Sequence, residues 1–174
     1  MKHLILTAFG VLLLNWITSS CNSDDPSPSG DGLVGSWKLT DSHCDDGLTI
    51  EDPFGANDSI HYTFTGKDYH TVFTFTDTPN EFTASGVFTS TYTTVTNGQQ
   101  HTFDVEVDPP GGTGTWSMAN DQLTQRIEGD TTLSDILELN SSSLKLVQHL
   151  DDVHDDNGTL VHVIATVYTS YSRQ

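Results

Sequence analysis

Apolar and polar residues alternate along most of the chain beyond residue 33, and this two-residue period most restricts what it can fold into. Tyr69, Thr71, Phe73 and Phe75 alternate with His70, Val72, Thr74 and Thr76. Phe82, Ala84, Gly86, Phe88, Ser90, Tyr92 and Thr94 mark a second face of the same kind. In a third run His101, Phe103, Val105 and Val107 stand opposite Thr102, Asp104 and Glu106. No segment sustains a helical repeat, and the abundant β-branched threonine favours pleated backbone. Turn signals at Asn97-Gly98, Pro109–Gly112, Asn120-Asp121, Gly129-Asp130, Asn140–Ser142 and Asp155–Gly158 separate the runs. The pattern predicts an all-β domain of about eight to ten antiparallel strands joined by short turns. An up-and-down meander of that number closes into a barrel and so removes its edges. A two-sheet β-sandwich is the alternative.

The first 32 residues have a different character. Met1-Lys2-His3 precedes a mostly apolar run from Leu4 to Leu14, too short to span a bilayer and of the right length for a signal-peptide core. Thr18-Ser19-Ser20-Cys21 follows and resembles the lipobox of bacterial lipoproteins, which implies removal of residues 1–20 and acylation of the Cys21 sulfur. An ordinary secretory signal with a chance cysteine is the other reading. Asn22-Ser23-Asp24-Asp25 resembles the export signal of Bacteroidota-type surface lipoproteins. The Pro, Ser and Gly residues up to Gly32 then read as a flexible tether. Residues 21–32 would reach at most about 40 Å, enough to hold a domain clear of the headgroups. The expected site is the outer membrane, lipid-anchored and exposed at the cell surface, with the bilayer as a partner through palmitate-type chains on Cys21.

Charge narrows the partners. Six basic against 24 acidic residues give a net charge of −18, which repels phosphates and argues against nucleic acid or a basic lipid-binding patch. Two cysteines cannot build a disulfide scaffold.

The domain opens with Leu33-Val34-Gly35-Ser36-Trp37-Lys38-Leu39-Thr40, which resembles the Gly-x-Trp first strand of lipocalins and of lipocalin-like domains on Bacteroidota-type lipoproteins. Gly114-Thr115-Trp116 with the turn after it, and Ile136–Leu139 with Leu144–Leu146, are similar to those domains too. The resemblance spans residues 33–174 and implies a lipocalin-like barrel. It also implies that Trp37 plugs the closed end beneath an arginine of the last strand, for which Arg173 is the match. Ordinary core packing is the competing role for Trp37 and Trp116.

Chemistry-bearing clusters are sparse. His43-Cys44-Asp45-Asp46 has ligand types in a row, but neighbours on a strand face opposite ways and cannot converge on one ion. Cys44 reads as a buried small hydrophobe or solitary thiol. The acidic stretch His149–Gly158 lacks the order of a calcium loop and reads as a solvated hairpin tip. No nucleophile elbow, phosphate loop or dinucleotide fingerprint is present, so neither an enzyme, a metal nor a cofactor is expected. Asp58-Ser59-Ile60 and Asp130-Thr131-Thr132 resemble the acceptor for periplasmic O-glycosylation, making Ser59 and Thr131 candidate sites.

Two functions follow. In the first, inward-facing Tyr69, Phe73, Phe75, Phe88, Tyr92 and Phe103 line a pocket for a small apolar or amphipathic ligand. In the second, the same rings fill the barrel, and its acidic outer face meets a protein or glycan. Neither reading fixes the oligomeric state.

Overall fold

The alternation becomes strand wherever β-branched and aromatic residues recur. Positive φ at Asp68, Gly86, Gly98, Asn120 and Gly129 follows the end of several runs, and at another the Asn140 side chain accepts the Ser142 and Ser143 N–H groups. A computed structural model of the chain describes residues 32–52, 58–96, 98–109, 112–156 and 159–174. Cys21 and the other leader and tether residues before Gly32 lie outside the described residues, as do Asn97, Pro110, Gly111, Asn157 and Gly158 of the turn signals. Eleven strands are described: β1 (Gly35–Asp52), β2 (Asp58–Lys67), β3 (Val72–Asp77), β4 (Asn80–Ser85), β5 (Phe88–Thr96), β6 (Gln99–Val107), β7 (Thr113–Ala119), β8 (Gln122–Ile127), β9 (Asp130–Leu139), β10 (Ser143–Asp156) and β11 (Thr159–Arg173).

Eight of them close a ring in the order β1, β3, β4, β7, β8, β9, β10, β11 and back to β1, every pairing antiparallel. This is a barrel, and the sandwich alternative falls. The barrel's eight strands fall within the expected eight to ten, and β2, β5 and β6, which stand outside the ring, bring the described strands to eleven. The expected single run from Phe82 to Thr94 is two strands in different places. β4 pairs with β3 and β7, whereas β5 pairs with β2 and β6. The break is at Gly86, whose φ of +78° suits glycine. A Cβ there would lie 2.2 Å from the His70 carbonyl oxygen, so the two backbone segments approach as only glycine permits.

The three longest strands outgrow the barrel. Gly35–Lys38 of β1 pairs with β3, while His43–Glu51 pairs with β2. Register shifts between Leu39 and Asp41 and between His43 and Gly47 mark the changeover, as bulges do where a strand bends. β11 follows β1 along both parts, from Trp37 opposite Arg173 to Asp52 opposite Leu160. Gln148–Asp156 of β10 pairs with β11 beyond the last β9 contact at Val147. The result is an open sheet, ordered β10, β11, β1, β2, β5, β6, projecting from one end of the barrel by on the order of 30 Å.

Buried apolar side chains form two clusters. One fills the barrel around Leu33, Trp37, Phe75, Phe82, Trp116 and Leu123. The other, Cys44, Phe64 and Ala165 with Tyr62, Tyr92, Leu150 and Val167 against them, holds one face of the projecting sheet together. Burial pushes the Cys44 thiol up from its ordinary value, which disfavours the thiolate.

Candidate functional site

The barrel is sealed at the end where the domain begins. Leu33 and Trp37 are both fully buried, and the indole N–H of Trp37 donates to the Leu33 carbonyl at 2.7 Å. The Arg173 guanidinium lies 4.4 Å from the Trp37 ring centroid, a cation–π contact of about 0.5–2 kcal/mol. Its Nη1 donates to the Val34 carbonyl at 2.8 Å, and Nη2 donates to that of Gly32. The chain end is pinned as well: Arg173 N–H donates to Ser142 and Gln174 N–H to Ser36. Gly35 makes room for this lock. Its φ is +132°, and a Cβ on it would sit 2.6 Å from Arg173 Nη1. Glycine in the opening Gly-x-Trp is therefore required twice over.

Above the seal lies a packed layer. Phe75 meets Trp116 edge-on at 6.1 Å, and the Trp116 indole donates to the Thr76 carbonyl at 2.7 Å. Phe82 packs over Gly114, where a Cβ would collide with its ring and with the Arg126 carbonyl oxygen. Leu123 and Leu144 complete the layer at 0% and 1% exposure, so this part of the barrel is solid.

Beyond it the interior opens into a cavity of about 210 Å³. Phe73, Phe82, Ile127, Leu146, Val167 and Tyr171 supply its apolar lining. Gln125, Thr132, Ser134, Gln148 and Thr169 supply amides and hydroxyls. Among the described lining residues none is charged. Phe73 and Tyr171 meet edge-to-face at 5.8 Å. Burial pushes the Tyr171 phenol up, with a smaller opposing effect from the Thr169 side chain, so it stays protonated at neutral pH. Such a cavity can enclose an apolar body and hydrogen-bond an uncharged polar group.

Of the six aromatic residues expected to line a pocket, Phe73 alone lines this cavity. Phe75 belongs to the solid layer at 3% exposure. Tyr69 stacks on Phe88 at 5.8 Å and accepts the Ser42 N–H at 2.9 Å. Tyr92 and Phe103, stacked at 5.7 Å, stand on the projecting sheet. Alternation told which side of its own strand each ring takes, but β5 and β6 are not barrel strands. The cavity residues that sequence reasoning missed are Phe82 of β4 and those from β8, β9, β10 and β11. Val167, Thr169 and Tyr171 share the period of Arg173, a signal that could have found them.

The remaining candidates are scattered. His43 pairs with Asp41 at 2.7 Å and stacks on Tyr168, while Cys44 is buried on the opposite face. His162 bonds Asp151 at 2.6 Å, and His154 bonds Asp152 at 3.2 Å. Among the described residues no three such groups converge on an ion position. Ser59 and Thr131 are exposed, each the second residue of its strand rather than on a turn.

A family model for the lipocalin-like domain matches residues 33–146, from the Leu33 plug into β10. No curated protein matches the chain. With the match covering well over half its length, and with the barrel closed by eight of its strands, the chain belongs to the lipocalin-like domain family.

Proposed function

We propose that this protein is a lipid-anchored, extracytoplasmic binding protein that holds a small, uncharged amphipathic molecule in its barrel. The observation that carries the reading is the cavity over a solid floor, walled by aromatic and aliphatic groups on the one hand and by neutral amides and hydroxyls on the other. A carboxylate or phosphate would enter without a basic partner, in a chain already at −18, and would keep its full desolvation cost. A fatty alcohol or primary amide would find Gln125 and Gln148 instead. The neutral amides and hydroxyls of the lining support a role in binding.

Anchoring through acylated Cys21 gives this geometry a direction. Gly32 packs against Leu139 and its carbonyl accepts from Arg173, so a tether joins the domain at the sealed end. The cavity and the projecting sheet then face away from the membrane.

Displacement of an apolar fluorescent dye tests the binding reading. Saturable competition by decanol or decanamide is expected, with decanoate at least about tenfold weaker, given the cost of burying an unpaired carboxylate. Gln148→Trp, which places an indole at the half-buried cavity wall, should abolish the competition. A barrel that takes up neither dye nor competitor would instead favour a purely structural or partner-contacting lipoprotein. The anchoring reading has its own test: Cys21→Ala should lose all label from radioactive palmitate, and label retained in that variant would overturn it.

A further inference from the structure

The projecting sheet carries a second recess that the barrel does not explain. On the face of the Cys44–Phe64 cluster, Tyr62, Tyr92 and Phe103 stand side by side on β2, β5 and β6. Tyr62 and Tyr92 have ring centroids 6.0 Å apart, and Tyr92 and Phe103 are 5.7 Å apart and nearly parallel at 11°. Beside this aromatic wall is a recess of about 240 Å³. Ile60 and Thr94 lie between the rings and the far side, where Thr49 and Glu51 of β1 stand. Phe103 is 49% exposed, a large apolar surface for a side chain on a soluble face.

Charge selects the occupant. Among the described lining residues Glu51 is the one charged group, and no Lys or Arg stands in the recess. Three of the basic side chains elsewhere are engaged: Lys67 pairs with Asp104, Lys145 with Glu138, and Arg173 covers Trp37. The net charge of −18 gathers small cations around the molecule and repels a second copy of it. Ring faces are negative and attract a cation within about 6 Å of their centroids. A bulky organic cation satisfies every component at once: its charge meets Glu51 and the ring faces, and its methyl groups cover the exposed apolar surface. Among the described lining residues a metal ion would find one carboxylate and no other charged ligand.

We propose that the recess formed by Tyr62, Tyr92, Phe103 and Glu51 is a binding site for a quaternary or substituted ammonium group, separate from the barrel cavity. It sits on the sheet that projects away from the sealed end. It neither requires nor excludes a ligand in the barrel.

Titration of the full chain with choline, followed by calorimetry and by the aromatic proton resonances of Tyr62, Tyr92 and Phe103, tests this. Choline should saturate those resonances, and 3,3-dimethylbutan-1-ol, its uncharged isostere, should bind about tenfold more weakly or worse. Phe103→Ala, at an exposed position, and Glu51→Gln, an isosteric change at a half-buried one, should each weaken choline several-fold while leaving the thermal midpoint near that of the parent. Gln148→Trp, which blocks the barrel, should leave choline binding unchanged. Equal binding of the two isosteres overturns the proposal. So does choline binding that survives both recess variants, or saturation of the same resonances by a neutral oligosaccharide but not by choline. A dimer in sedimentation that Phe103→Ala dissolves would assign the recess to a second copy and overturn it as well.

Discussion

Replacing Trp37 with alanine is expected to lower the unfolding free energy by about 3–5 kcal/mol, measured by urea denaturation. The indole is fully buried in the sealed end, so its loss leaves a cavity that the barrel wall cannot collapse into. Two further contacts go with it. The Leu33 carbonyl loses its donor, and the Arg173 guanidinium loses the ring 4.4 Å beneath it. Trp37→Phe separates these contributions. It keeps a ring under the guanidinium and removes the N–H, so its cost should fall to about 1–3 kcal/mol. A Trp37→Ala variant within about 1 kcal/mol of the parent would show that the Leu33–Arg173 lock does not hold this end of the barrel.

The second large effect is expected at Gly86. Alanine there must adopt a φ of +78°, a strain of about 1–3 kcal/mol. Its methyl group must also clear the His70 carbonyl oxygen, 2.2 Å from the ideal Cβ position. That atom is backbone, held by the His70 N–H to Val87 and the Leu39 N–H to Thr71 hydrogen bonds, so no rotamer change relieves the contact. The total should exceed about 3 kcal/mol. Gly129→Ala is the internal control. It has a φ of +101°, with no described atom within 4 Å of a Cβ, and should show the backbone strain alone. Equal losses at the two positions would mean that the β4–β5 crossing relaxes around the added methyl group.

Gly86 also shows why the chain was only partly legible. Phe82 and Phe88 share a period, and their sequence separation is right for one strand. Nothing in the local pattern says that the His70 backbone crosses at Gly86 and sends β5 to a different sheet. Phe73 and Tyr92 look alike in sequence, each in a Thr-rich alternating run, yet one lines the barrel cavity and the other the outer recess. The polar side of the cavity was harder still. Gln125, Gln148 and Thr169 are ordinary strand residues until β8, β10 and β11 are brought around one space.

Arg173 as the partner of Trp37 came from the family resemblance and not from any local pattern. Strand character, the described turn positions, the acidic field and the Gly-x-Trp opening were legible from the residues in order. Each of these depends on backbone preference, on summed charge or on a short local motif. Barrel membership, the partner change midway along β1, the size of the cavity and the sorting of the aromatic residues were decided only by the folded chain. The physical reason is that a two-residue period specifies which side of its own strand a residue takes. Which strand lies alongside depends on contacts between segments far apart in sequence, such as Trp37 with Arg173 and Gly86 with His70.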